Sequence, residues 1–235
     1  MARLPNVPTV WSNVFTAWVL SGGAFASAKD HAYFALVLAG GTFLYVSGTL
    51  FNDVADVEFD RVHRPERPIP SGRVLRAQVA STAAVLMVCG TAAFLLLGNY
   101  FAIYLPLLIL VYTYIHKAIP PAGLFFMASC RLLLAITVSF SVPNIKLLFT
   151  GIIVPNDTPA PQFWWWTLFA YICALSWLAQ GEKLPWRRKT VGLMLAALPL
   201  LDAVFMLCGG KGMLTLIPLA CAAMAWGLRK VASAT

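Results

Sequence analysis

The sequence predicts an all-α protein, a polytopic membrane bundle of about eight transmembrane helices. Three observations predict it. Of 235 residues, 60% are hydrophobic and only 11% are charged, whereas a soluble domain carries about 25% charged residues. The mean hydropathy is +0.78. The chain also divides into apolar runs of about 20 residues, the length that crosses a bilayer core. Nine acids and seventeen Lys or Arg cannot coat a water-soluble globule of 25.6 kDa, so the apolar excess needs an apolar solvent.

The runs fall at 9–28, 31–52, 76–97, 100–119, 122–141, 163–180, 190–208 and 212–228. The first has a rival assignment. Arg3, the apolar stretch to Leu20 and Ala24-Phe25-Ala26 resemble a signal peptide with its cleavage site, but Pro5, Pro8 and the length of the Trp-containing run favour a retained helix. The second run ends at Asn52 and is parted from the third by the polar stretch 53–75. Gly98-Asn99, Pro120-Pro121 and Gly209-Gly210 are short breaks that read as tight turns between antiparallel helices. A Pro- and Asn-rich stretch, 142–162, divides the fifth run from the sixth, which opens on Trp164-Trp165-Trp166. That tryptophan run fits an interfacial belt. Cys89, Cys130, Cys173, Cys208 and Cys221 are scattered singly inside apolar runs and read as small packing residues. The whole chain, 1–235, reads as one transmembrane domain.

With the N-terminus in the cytoplasm, thirteen Lys or Arg fall on the inner side. Only Lys29, Lys146 and Lys211 fall on the outer side, and Arg131 lies within a span. This positive-inside bias requires an even number of spans and places both termini in the cytoplasm. It also explains the net charge of +8 without a nucleic-acid partner. The expected location is a bacterial inner membrane.

Five of the nine acids, Asp53, Asp56, Glu58, Asp60 and Glu66, fall within fourteen residues where the second run ends. Asp53, Asp56 and Asp60 are spaced i, i+3, i+7 and line one stripe of a helix, with Asn52 at its edge and Glu58 rotated away. Like charges so placed repel. Either the array is a solvated helix end partnered by Arg61 and Arg64, or it is a Mg²⁺ site. Mg²⁺ takes hard oxygen ligands and commonly binds through one or two carboxylates plus substrate phosphate oxygens. Arg64, Arg67 and Arg73 follow, and with them the stripe would hold a metal-bridged diphosphate.

Asn52-Asp53-x-x-Asp56-x-x-x-Asp60 resembles the first aspartate-rich motif, NDxxDxxxD, of the UbiA superfamily of intramembrane prenyltransferases. Arg67-Pro68-Ile69-Pro70-Ser71-Gly72 is similar to that family's RP(L/I)xSG segment. The resemblance implies a helical bundle around a central cavity open to the cytoplasmic side. It implies Mg²⁺-dependent transfer of a prenyl group from a polyprenyl diphosphate to a small-molecule acceptor within the membrane. Asp53, Asp56 and Asp60 would hold the metal and serve catalysis, Asn52 would orient them, and Arg64, Arg67 and Lys117 would bind diphosphate. Tyr112, Tyr114 and Lys117 resemble the family's Tyr-x-x-x-Lys element with altered spacing.

The pattern breaks in the second half. The family carries a further motif, typically DxxxD, between the sixth and seventh spans, where this chain has Gln180, Glu182 and the basic residues Lys183, Arg187, Arg188 and Lys189. Glu182 and Gln180 would form a reduced ligand set, or the basic residues would touch diphosphate, or the loop is simply a positive-inside anchor. Two other outcomes share the donor: a UbiA-type terpene cyclase, and a non-catalytic carrier of an isoprenoid lipid.

Arg131 lies about 15 Å into the fifth span at 1.5 Å per residue, where arginine is expensive and normally faces a cavity or a partner. Asp202 lies similarly deep in the seventh. The two are expected either to pair or to face one polar cavity, and Arg131 is a further substrate-binding candidate. No catalytic triad, P-loop, GxGxxG segment or zinc spacing is present, which leaves hydrolase, ATPase and oxidoreductase chemistry without residues.

Overall fold

The computed structural model describes residues 4–118, 120–142, 146–148, 151–153, 161–179 and 185–234. Its helices are α1 (Val7–Leu20), α2 (Ala28–Ala55), α3 (Val57–His63), α4 (Arg76–Leu95), α5 (Tyr104–Ala118), α6 (Pro120–Phe140), α7 (Gln162–Ala179), α8 (Pro185–Cys208) and α9 (Leu216–Ala234). Between α6 and α7 the expected polar connection contains a small antiparallel hairpin, β1 (Lys146–Leu148) paired with β2 (Gly151–Ile153). Leu147, Leu148, Ile152 and Ile153 give it the apolar and β-branched residues that strands favour.

Each predicted run contains one long helix, and the polar stretch 53–75 adds the short α3. Among the described residues, five helical stretches are long and apolar enough to cross a membrane: Ala28–Ala55, Arg76–Leu95, Gly123–Phe140, Thr190–Cys208 and Gly212–Arg229. The count of eight spans is therefore not reproduced. The 14 residues of α1 reach about 21 Å at 1.5 Å per residue, short of a hydrocarbon core of about 30 Å. The reason lies in its position. α1 packs against α2, α6, α8 and α9, and every residue in it except Trp11 is buried. Around it runs a circuit of contacts in which α2 meets α5, α5 meets α6, α6 meets α7, α7 meets α8 and α8 meets α9, while α4 packs on α2. Large apolar side chains such as Val85, Val88, Leu96, Leu107 and Phe163 point outward. A surface of that kind is stable only in an apolar medium, and the protein is an integral membrane protein.

Local chemistry fixes the ends of the elements. Ser27 caps α2 reciprocally with Asp30: the Asp30 amide donates to Ser27 Oγ at 3.1 Å and the Ser27 amide to Asp30 Oδ2 at 2.9 Å. Gly98 and Gly210 follow α4 and α8 with φ of 77° and 69°, left-handed turns that glycine adopts without strain. The contact between α2 and α4 depends on missing side chains. A Cβ on Gly90 would stand 3.0 Å from both the Gly40 carbonyl oxygen and the Leu44 amide nitrogen. Because those neighbours are backbone, they cannot swing aside. Gly90→Val is expected to cost about 1–3 kcal/mol, read as a lowered Tm of the detergent-solubilised protein.

Candidate functional site

The acidic stripe lies where α2 gives way to α3. Asp56 stands between the two helices with helical backbone angles, its amide donating to the Asn52 carbonyl at 2.9 Å, while the Asp60 amide donates back to the Asp56 carbonyl at 2.8 Å. The helical path therefore runs on through the junction, and the i, i+3, i+7 spacing keeps its meaning. The following segment folds back as a compact turn. The Ser71 amide donates to the Arg67 carbonyl at 2.9 Å, the Val74 amide to the Pro68 carbonyl at 3.2 Å, and Gly72 takes φ of 74°. This turn returns Arg67 to the stripe, its Nη1 lying 2.7 Å from Asp60 Oδ2 and 3.9 Å from Asp53 Oδ1. One guanidinium nitrogen thus lies between two of the three acids.

Asp60 is buried, and its Oδ1 has no hydrogen-bond partner among the described residues. A buried carboxylate oxygen left unpaired is costly, and the atom fits a cation or a donor that arrives with a ligand. Among the described residues no three His, Cys, Asp or Glu side chains lie close enough together to enclose an ion. A divalent ion here would share its shell with substrate oxygens and water, the ordinary habit of Mg²⁺. Glu58 points away, as the spacing predicted. It is exposed, 2.9 Å from Arg61 and 4.0 Å from Arg76, so Arg61 partners Glu58 instead of the stripe. Arg64 is exposed at the end of α3.

Behind the stripe lies an open cavity, with about 910 Å³ of empty space when the solvent at its mouth is included. One face of α2 forms a wall of it, with Tyr45, Thr49 and Asn52 at helical spacing, and that face continues toward Asp53 and Asp56. Asn52 Oδ1 accepts from Thr113 Oγ1 at 3.3 Å. Leu105, Ile109 and Leu134 make much of the remaining wall apolar, and Tyr112 also lines it. Tyr114, the other tyrosine of that element, is exposed. Lys117 belongs to α5, but its side chain and that of His116 lie outside the described residues, as do Gln180, Glu182, Lys183 and the side chains of Arg187, Arg188 and Lys189.

Arg131 lines the same cavity. Its expected partner reaches it only indirectly. Arg131 Nη1 donates to Asn13 Oδ1 at 2.7 Å, and Asn13 Nδ2 donates to Asp202 Oδ2 at 2.8 Å. Asn13 therefore bridges the cation and the anion. Asp202 is fully buried and also accepts from Ser12 Oγ at 2.5 Å and from Trp164 Nε1 at 2.9 Å. Arg131 Nη2 donates to Thr9 Oγ1 at 2.9 Å, and its guanidinium lies 5.3 Å from the centre of the Tyr45 ring.

One assignment from the sequence needs correction. Trp164 and Trp165 are not belt residues: both are buried, Trp164 donates to Asp202, and only Trp166 of the three faces outward. Arg229, counted only as a cation in the sequence, turns into the protein and donates to the Gly192 carbonyl and to Asn6 Oδ1. The polar line in α1 was also missed. Thr9, Ser12, Asn13 and Thr16 follow helical spacing inside an otherwise apolar run, a signal present in the sequence itself.

A lipid-embedded bundle with an acidic mouth and a mainly apolar hollow is the class of protein that these observations define. The chain belongs to the UbiA prenyltransferase family, whose pattern matches residues 7–234. A digeranylgeranylglyceryl phosphate synthase of Sulfolobus acidocaldarius is 30% identical over 161 residues, which span 63% of this chain and 57% of that protein. The synthase of the same name from Sulfurisphaera tokodaii is 36% identical over 77 residues, 33% of this chain and 28% of that protein. The match thus covers from about a quarter to just over half of these relatives' length. In fold, the apo structure of a UbiA homologue from Aeropyrum pernix K1 superposes with a TM-score of 0.64 at 16% identity, covering 97% of this chain and 91% of that one.

Asn13→Leu is expected to leave hydrogen-bonding atoms of both Arg131 and Asp202 without partners, at about 1–3 kcal/mol for each. Ser12→Ala should cost less, because Asp202 keeps Asn13 and Trp164 as donors. Thermal unfolding of the two variants in detergent gives the ranking.

Proposed function

We propose that this protein transfers a prenyl group from a polyprenyl diphosphate to an acceptor inside the membrane. The observation that carries the proposal is an acidic stripe, crossed by Arg67, that continues the face of α2 walling an open and largely apolar cavity. The family and the relatives' names support it. Those names also favour an acceptor of the glycerol phosphate type, which differs from an aromatic ring in offering a hydroxyl oxygen as nucleophile.

In this reading the donor's chain lies between α2, α5 and α6, against Leu105, Ile109 and Leu134, and its diphosphate rests at Asn52, Arg67, Arg64 and Lys117. Asp53, Asp56 and Asp60 would hold Mg²⁺, which when bound neutralises charge on the diphosphate. Arg67 adds a fixed cation beside the leaving group. The allylic C–O bond breaks and its electron pair leaves with the diphosphate. The apolar walls exclude water from the resulting cation. An acceptor hydroxyl oxygen then forms the new C–O bond, and its proton passes to the departing diphosphate, itself a base. The acidic mouth faces the cytoplasm in the orientation that the Lys and Arg distribution favours.

Asp53→Asn and Asp56→Asn are expected to abolish pyrophosphate release from a panel of polyprenyl diphosphates with Mg²⁺, whereas Glu58→Ala leaves it within about twofold, since that carboxylate pairs with Arg61 at the surface. Release with donor alone and a cyclised product would identify a terpene cyclase. Donor binding without any release would identify a carrier.

A further inference from the structure

The face of α2 that walls the cavity runs from Asn52 through Gly48 to Leu44, one helical turn at a time. Gly41 lies on the same stripe one turn further, yet it does not line the cavity. The reason is what stands in front of it. A Cβ on Gly41 would lie 3.0 Å from Val14 Cγ2 and 3.4 Å from Leu134 Cδ1, so side chains of α1 and α6 already meet the bare backbone of α2 at this level. Val14 and Leu134 are both buried and belong to the main core cluster.

The other walls stop at a similar depth. On α5 the lining residues run from Tyr112 to Leu105, and on α6 from Met127 to Leu134, each stretch about 10 Å at 1.5 Å per residue. The next turn of α6 holds Val138, which is fully buried in the core and is no part of the lining. On α2, Asn52 and Leu44 lie about 12 Å apart along the axis. The deep end of the cavity is therefore a floor of three buried leucines, Leu44, Leu105 and Leu134, with Val14 behind it. An extended prenyl chain advances about 5 Å for each isoprene unit, a zigzag of four carbon–carbon bonds of about 1.5 Å. Two units fill the depth and a third reaches the leucines. A fourth meets close-packed core.

We infer that Leu44, Leu105 and Leu134, backed by Val14, set the length of the donor: this chain takes a prenyl diphosphate of two or three isoprene units and rejects one of four. This rests on the transfer reading above and adds a donor class to it. The relatives' names contain a geranylgeranyl group, a chain of four such units, so the floor gives this protein a donor that those names do not. Each added methylene favours binding by its own burial, and a cavity without a floor would hold the longest chain most tightly. A floor reverses that order, because an overfilled pocket forces side chains from their rotamers and shifts backbone. Preference for the shorter chain is the signature that separates the two cases.

The test uses the purified full chain in detergent with Mg²⁺ and three unreactive probes, the geranyl, farnesyl and geranylgeranyl thiolodiphosphates. Binding is read by calorimetry, and pyrophosphate release is followed with the three corresponding diphosphates. The better of the two shorter probes is expected to bind about tenfold or more tightly than the geranylgeranyl one. Leu134→Ala opens the floor and should bring the geranylgeranyl probe within about twofold of the best shorter one. Val14→Ala, which removes the backing, should move the ratio the same way. Val88→Ala, on the outward face of α4, should leave it unchanged. A geranylgeranyl probe that binds the wild-type chain as tightly as the shorter two overturns the inference even if the variants fail to fold. So does an unchanged ratio in a folded Leu134→Ala. Preference for the shorter probes with no pyrophosphate released from any diphosphate leaves the floor standing and removes the transfer reading. Failure of all three probes to bind removes both.

Discussion

The architecture depends on one constraint, that a charge inside an apolar bundle must be met by hydrogen bonds from its neighbours. α1 is how this chain meets it. The helix is enclosed by α2, α6, α8 and α9 and buried along nearly its whole length, so its hydroxyl and amide side chains are available only to the interior. Asn13 uses both ends of its amide, accepting from Arg131 and donating to Asp202. A direct contact between the two charges would have tied α6 to α8 and closed Arg131 off. The bridged arrangement ties both helices to α1 and leaves part of the guanidinium facing the cavity.

The same constraint shapes the mouth. Asp60 is buried against Arg67, and one oxygen is left without a partner among the described residues. Removing one member of such a pair costs more than the pair contributes, which ties the turn carrying Arg67 to α3. The wall of α2 then links mouth and interior. Tyr45, Thr49 and Asn52 share a face, so any ligand that touches both Asn52 and Arg131 must lie along a single helix. Ile109 packs closely on Gly48, where a Cβ would stand 3.2 Å from Cγ2, and both residues line the hollow.

Much of this was legible in the sequence. Apolar length located the long helices, because the bilayer imposes a run length that composition cannot disguise. The acids were legible because carboxylates are scarce in this chain and their spacing is helical, and Glu58 pointed away as that spacing required. What stayed hidden was tertiary. No local pattern says that Trp164 turns inward to Asp202 while Trp166, two residues on, faces outward. Arg229 sits among inner-side cations by the rule of charge distribution, yet a contact with Asn6, far away in sequence, turns it inward.

The central claim is that the acidic stripe and the cavity behind it form one site for a diphosphate-bearing isoprenoid. Its most direct test is the dissociation constant of an unreactive prenyl thiolodiphosphate, measured by calorimetry with Mg²⁺ and again with chelator. Binding that weakens by about a hundredfold or more when either the ion or the Asp53 carboxylate is removed agrees with the account. Equal affinity in all three conditions contradicts it.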